Sequence, residues 1–262
     1  MVTFGMTITT YNRKRFTDQC LKSIIWSKPK HTKIIIVDNN STDGTREEVL
    51  SKYENHPLIE KIIYNSTNKH LGMAVYQGWN YFKNKCRILT VSNNDFLWEP
   101  GWDQNALACF NEIQNLDYII GTVRLEEKKT VKRTSSGRGI YTKINDAGGA
   151  YFLLPKHFKA GIFPSVEPFR KGYIGPGKNW QKRLRGLKMK GIRLYSPGVL
   201  VRYGEYTNPE YIRYYNETFG IRNKMKRLKK FRILERSKTP SFHINWEGFL
   251  KKYYPSEMRK EL

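Results

Sequence analysis

The sequence predicts an α/β fold: a Rossmann-like, mixed but mostly parallel sheet flanked by helices, followed by a basic helical C-terminal tail. Two observations predict it. The apolar run Ile88-Leu89-Thr90-Val91 ends in Ser92-Asn93-Asn94-Asp95, and Lys33-Ile34-Ile35-Ile36-Val37 ends in Asp38-Asn39-Asn40-Ser41-Thr42-Asp43-Gly44. Each reads as a buried strand whose carboxyl end carries an acid. Open α/β sheets bind ligands at that edge, and a carboxylate there can hold a divalent cation and, through it, a phosphate. Two such edges point to one nucleotide site.

The elements follow in order. Gly5 to Thr10 alternates as a strand, Tyr11-Asn12-Arg13 closes it, and a helix runs from Phe16 to Trp26. After the Lys33–Val37 strand, Asn68 to Gly72 leads into a helix that includes Tyr76 to Phe82, and the Ile88–Val91 strand comes next. The chain then passes through Trp98 and Trp102 into an amphipathic helix, with Leu107, Phe110, Ile113 and Leu116 at helical spacing. Tyr118-Ile119-Ile120 reads as a strand, Glu126 to Gly139 as a mobile loop around Ser135-Ser136-Gly137, and Gly148 to Leu154 as a further strand. Each singled-out group has a plain alternative. Asp38 and Asp43 suit turns, Asn94 and Asp95 suit the cap of a following helix, His70 suits a loop, and the two tryptophans suit the core or a sugar platform. Three acidic or amide-rich strand ends in one order are hard to produce by capping needs alone.

The combination Thr9-Thr10-Tyr11-Asn12-Arg13, Val37 to Thr45, Asn68 to Gly72 and Asn93-Asn94-Asp95 resembles the family 2 glycosyltransferases of the GT-A fold. The resemblance covers roughly the first 110 residues and rests on several motifs in order. It implies a metal-dependent transferase of a hexosyl or pentosyl group, with a UDP- or dTDP-sugar as donor and Mn²⁺ or Mg²⁺ as cofactor. It further implies that Thr10, Tyr11, Asn12, Arg13, Asp38, Asn40, Asp43, Gly72, Asn94 and Asp95 form the donor site. Asp95 would be the metal ligand. The strand at Gly148 and the turn Gly161-Ile162-Phe163 resemble the family's acceptor side. The family's usual acidic pair is missing: Gly175-Pro176-Gly177-Lys178-Asn179-Trp180 precedes the helix expected over Gln181 to Gly191, and Tyr203 stands where a histidine is usual. Glu167 and Asp146 are the nearest substitutes for the catalytic base. The domain reading is a transferase domain over 1–205, divided into a donor half at 1–110 and an acceptor half at 111–205, with a basic, aromatic-rich extension over 206–262.

Composition narrows the class. With 39% apolar and 14% aromatic residues among 262, the chain is long enough for one sizeable core and is not a disordered polymer. The first strand begins almost at Met1, without a preceding signal-type apolar segment, and no run reaches the ~18 residues of a membrane span. Cys20, Cys86 and Cys109 fit no metal spacing and read as reduced core thiols of a cytoplasmic protein, in a host cytoplasm if the gene is a phage's. Forty-seven Lys and Arg face 23 Asp and Glu, a net charge of +24 concentrated at Lys128–Arg138, Arg170–Arg193 and Arg222–Arg232. Such a field attracts polyanions. Arginine, lysine and interleaved aromatics suit a nucleic-acid acceptor such as hydroxymethylated DNA. The competing readings are an anionic membrane surface with a lipid-linked or cell-envelope acceptor, and a non-catalytic nucleic-acid-binding module. A coding bias toward lysine would give the same charge with no specific partner.

Overall fold

The structure is a computed structural model that describes residues 2–122, 131–142, 144, 150–161, 184, 186–201 and 246–254. Strand β1 (Val2–Thr10) is followed by α1 (Lys14–Trp26) and β2 (Thr32–Asp38). A π-helical turn (Thr45–Val49) and a 3-10 turn (Leu50–Tyr53) lead to β3 (Ile59–Tyr64), α2 (His70–Phe82) and β4 (Cys86–Asn93). Next come β5 (Phe96–Trp98), α3 (Trp102–Glu112), β6 (Tyr118–Ile120), β7 (Lys132–Arg133), β8 (Ile140–Thr142) and β9 (Tyr151–Leu153). The order closes with α4 (Pro155–Lys159), β10 (Gly191–Leu194), β11 (Val199–Val201) and, last, α5 (Trp246–Tyr253).

Nine strands form one sheet in the order β3-β2-β1-β4-β9-β6-β10-β8-β7, and β5 pairs with β11 in a separate ribbon. All strands of the large sheet except β8 and β9 run in one direction. The expected mixed, mostly parallel sheet is therefore present. The chain leaves β1 to build β2 on one side and returns to build β4 on the other, so the carboxyl ends of β2, β1 and β4 lie side by side, with Thr10 opposite Asp38 and Thr9 opposite Asn93. This reversal is where such sheets open a ligand crevice.

The alternation of β1 divides the core. Phe4, Met6 and Ile8, with Ile34, Ile36 and Ile88, belong to one buried cluster with Cys20, Leu21 and Ile24 of α1 and Trp102, Ala106 and Cys109 of α3. On the other face, Ile35, Val37, Leu89 and Val91 share a cluster with Ala74, Val75, Trp79 and Phe82 of α2. Helix α2 approaches β1 closely because each places a glycine against a side chain of the other. A Cβ on Gly78 would lie 2.1 Å from Thr7 Oγ1, and one on Gly5 would lie 2.5 Å from the Phe82 ring.

Several sequence expectations shift. Helix α2 starts at His70, so Gly72 sits in its first turn and not before it. The more buried face of α3 is Trp102, Asn105, Ala106 and Cys109, while Leu107, Phe110 and Ile113 are only partly buried. Trp102 packs against Phe152, Phe4 and Trp98, at 5.7, 5.2 and 4.6 Å between ring centres, which seats the start of α3 on the sheet. Within the expected mobile loop, Lys132–Arg133 form β7 and residues 134–139 make a tight turn. That turn is held because Ser135 Oγ (2.6 Å), Ser136 N (2.8 Å) and Ser136 Oγ (2.5 Å) all donate to Glu112 at the end of α3. The expected Gly148–Leu154 strand is described over Tyr151–Leu153. Gly191 opens β10 instead of ending a helix, and its missing side chain makes room for the Tyr118 ring.

Candidate active site

Three loops meet at the carboxyl edge. The first, after β1, contains Asn12 and Arg13 in the left-handed region, at φ 55° and 65°. Asparagine tolerates this conformation, but arginine pays roughly 1–2 kcal/mol for it. The surrounding contacts hold it there. Asn12 N donates to Ser41 Oγ at 2.8 Å and Asn12 Oδ1 accepts from Thr42 N at 2.8 Å, which ties this loop to the one after β2. The Arg13 guanidinium donates through Nη1 to Asp95 Oδ2 at 2.8 Å and through Nη2 to Asn94 Oδ1 at 2.5 Å, which ties it to the turn after β4.

Asn94 is almost wholly buried. Its amide donates to Thr10 Oγ1 (3.0 Å), the Asn12 carbonyl (3.1 Å) and Thr17 Oγ1 (2.8 Å). Asn94 therefore turns inward and braces the first loop; the direct donor contact implied for it is not what its side chain is placed to make. Asn94 and Asp95 occupy the turn between β4 and β5, and no helix follows until Trp102, so helix capping does not account for them. Asp95 keeps its Oδ1 buried with no hydrogen-bond partner. A buried carboxylate oxygen without a donor is costly unless something positive completes it.

After β2, Asp38 is fully buried, and Ser41 N (3.1 Å to Oδ2), Ser41 Oγ and Arg46 Nε converge on its carboxylate. Arg46 continues through Nη2 to the Asn65 carbonyl at 2.7 Å. Asp38, which the resemblance assigns to the donor site, thus spends most of its accepting capacity within the protein. Asp43 likewise works inside the fold: it accepts from Lys14 N at 2.9 Å and Thr45 Oγ1 at 2.5 Å, capping α1 from a neighbouring loop. Asn40 stands at φ 68° and is partly buried, as are Tyr11 and Gly72. Asn39 reaches the His70 carbonyl at 3.3 Å and accepts from Asn65 Nδ2 at 3.0 Å, joining β2 to the start of α2.

Thr10, Asn12, Arg13, Asp38, Asp43, Asn94 and Asp95 therefore form one hydrogen-bonded assembly across three strand ends. Sequence reasoning missed Ser41, Arg46, Asn65 and Thr17 as its supports. One signal was available for Arg46: an acid at the end of a buried strand needs a donor or counter-charge, and Arg46 is the first cation after the Gly44 turn. Trp98 and Trp102 are fully buried and donate their indole N–H groups to Ser92 and Ser27 at 3.0 and 3.1 Å, so both are core residues and neither is a sugar platform. Glu167, Asp146, Lys178 and Tyr203, with the basic runs 170–183 and 222–232, lie outside the described residues.

The edge fits a hard divalent cation on two grounds. Asp95 Oδ1 is a buried oxygen in want of a positive partner, and Mg²⁺ or Mn²⁺ is commonly held by one or two carboxylates plus water and substrate phosphates. Among the described residues no group of three or more His, Cys, Asp or Glu side chains could enclose a metal by itself. A ligand shell would have to be completed by the substrate.

Comparison with known proteins agrees with this architecture. The family model described as glycosyl transferase family 2 matches residues 6–165. An uncharacterized glycosyltransferase of Nostoc sp. is 22% identical over 154 residues, which cover 56% of this chain and 47% of that protein; the chain thus matches about half the length of this curated relative. Residues 1–349 of TarS from S. aureus share 15% identity at a TM-score of 0.56, covering 91% of this chain and 74% of that one. The mannosyltransferase PcManGT from Pyrobaculum calidifontis, in complex with GDP-Man and Mn²⁺, shares 14% identity at a TM-score of 0.55, covering 94% and 69%. At these identities the structural likeness speaks to the fold, which is that of the GT-A glycosyltransferases.

Proposed function

The chain belongs to glycosyl transferase family 2, and on that premise we propose that it moves a glycosyl group from a nucleoside diphosphate sugar to an acceptor hydroxyl with the help of a divalent cation. The observation that carries this reading is the buried, unpartnered Asp95 Oδ1 at the carboxyl edge beside the β1 and β2 loops. A cation bound there offsets the charge that develops on the diphosphate as the anomeric bond breaks. Asp95 supplies the anchoring oxygen. Arg13 and Asn94 hold that carboxylate in place, and the Asp38–Ser41–Arg46 cluster shapes the β2 loop that borders the donor. As the acceptor oxygen bonds to the anomeric carbon, its proton passes to a base; Glu167 and Asp146 are our candidates. A UDP- or dTDP-sugar is the proposed donor.

For the acceptor, the net charge of +24 supports a polyanion or a molecule carried on an anionic surface. We favour modified DNA, because the basic excess falls in three separate runs between Lys128 and Arg232 and not in one anchoring segment. A lipid-linked glycan is the second reading, favoured by the Lys- and Arg-rich run at 222–232 with Ile221, Met225, Leu228 and Phe231 interspersed. One experiment tests donor and acceptor together. The protein is incubated with Mn²⁺, a panel of nucleotide-sugars, hydroxymethylated DNA and lipid extract, followed by mass spectrometry of each acceptor. Sugar on either acceptor, lost with Asp95→Asn, supports the transferase. Sugar on lipid alone moves the acceptor to the membrane surface. Metal-independent nucleotide affinity in calorimetry counts against the site.

A further inference from the structure

Asp95 has two oxygens in different situations. Oδ2 is held by Arg13 Nη1 at 2.8 Å, and both side chains are only 11% exposed, whereas Oδ1 is buried with no donor. The same guanidinium grips Asn94 through its other arm at 2.5 Å, so the fork fixes the carboxylate and the turn that carries it as a unit. Its setting is unusual for a cation. Arg13 is the residue at the N-cap of α1, in the left-handed conformation, and the first turn of that helix contains no acid. Lys14 and Arg15 follow directly. Asp43 accepts from Lys14 N at 2.9 Å and Glu48 pairs with the Lys14 ammonium at 2.8 Å, so the helix end and Lys14 are balanced by acids of their own, and the cation seated on Asp95 is the Arg13 guanidinium. A divalent cation approaching Oδ1 would meet an acid already neutralised on its other oxygen.

We propose that Arg13 is a positioning residue that sets the order of assembly at this site: it presents Asp95 Oδ1 toward the cation while its charge keeps the nucleotide-free protein from holding that cation tightly. Only when a diphosphate supplies further negative charge does the cation stay, so metal and donor bind as a coupled pair. The inference rests on the reading of Asp95 as the cation's ligand, and goes beyond it by assigning Arg13 the control of that ligand's affinity. A purely structural arginine would stabilise the turn but would not weaken metal binding.

The test uses the full chain and Mn²⁺ itself, with free Mn²⁺ counted by electron paramagnetic resonance with and without UDP, and with GDP in place of UDP. Wild-type protein should bind Mn²⁺ weakly alone and about 5–150-fold more tightly with nucleotide, the usual span of a coupling between sites. Arg13→Gln should bind Mn²⁺ alone about tenfold more tightly than wild type and gain less from nucleotide, and by reciprocity UDP should gain less from Mn²⁺ by the same factor. Arg13→Lys keeps the charge and should stay near wild type with Mn²⁺ alone. Thermal unfolding in EDTA reports whether each variant folds. Folded Arg13→Gln that binds Mn²⁺ no more tightly than wild type overturns the proposal. If that variant does not fold, wild type decides: Mn²⁺ held equally tightly with and without UDP or GDP overturns the proposal while leaving the site intact. Wild type that binds Mn²⁺ under neither condition overturns both this inference and the reading of the site.

Discussion

Asn94 illustrates why a motif and a site are different things. Its position in Asn93-Asn94-Asp95 marks the right turn, yet its side chain serves Thr10, Asn12, Thr17 and Arg13, all of them far away in sequence. Asp95, the next residue, has the oxygen left over. The motif's place at a strand end was legible because strand, acid and turn are local signals. Which of two adjacent polar groups faces in was not legible, because that depends on where α1 and β1 deliver their hydroxyls. Asp38 differs, because its donors Ser41 and Arg46 follow it within eight residues. The base is the residue-scale question that the missing acidic pair raises. If Glu167 or Asp146 takes the acceptor proton, alanine at both positions should lower turnover by ~10²–10⁴-fold with nucleotide affinity unchanged, since a general base contributes about that much. A rate within a few-fold of wild type eliminates both.

Elements were read well where periodicity and burial coincide, as in β1, β2, β4 and α1. They were read less well where a polar anchor overrides composition. The segment with Ser135-Ser136-Gly137 looks like an unconstrained loop, but a single acid at the end of α3 turns it into an ordered hairpin joining β7 and β8. The three donors from Ser135 and Ser136 hold the Glu112 carboxyl down from its ordinary value of 4.5 to about 2. A carboxylate with a lowered folded pKa contributes its stabilisation above the ordinary value and loses it as pH falls toward the folded one. The hairpin should therefore stay latched at neutral pH and release between about pH 4.5 and 2. Carbon-detected NMR titration should give Glu112 a midpoint near 2, and Glu112→Gln should abolish that step. A midpoint above 4 would show that the latch does not form. The thiols behave differently: burial pushes Cys86 up to about 11 and Cys109 up to about 12, so neither is a nucleophile near neutral pH.

On the scale of the whole molecule, the outline of the sheet was legible, but the return of the chain to its beginning was not. Helix α5 lies against the β5–β11 ribbon and the end of α1: Phe249 and Tyr254 cluster with Leu97 and Leu200, and Trp246 meets Trp26 at 5.5 Å between ring centres. Glu99, fully buried, fastens this arrangement by accepting from Gly198 N at 2.7 Å, Ser196 Oγ at 2.8 Å and the Tyr253 hydroxyl. Nothing in Trp98-Glu99-Pro100 announces that role, since the partners come from distant segments. Glu99→Gln should cost about 1.5–3 kcal/mol, the range for hydrogen bonds to a charged group, and should speed amide exchange in Trp246–Tyr253. Lys252→Met should cost under about 1 kcal/mol, because that lysine is half exposed and 3.8 Å from the same carboxylate. Unchanged exchange in α5 after Glu99→Gln would mean that the aromatic contacts alone hold the helix. The seating of α5 also bears on synthesis. A ribosome delivers Trp26 and Leu97 long before Trp246 and Phe249 exist, so a nascent chain must carry an uncovered apolar patch through most of translation. Vectorial folding of the β1–β4 region can begin early, yet its surface is finished only when α5 emerges.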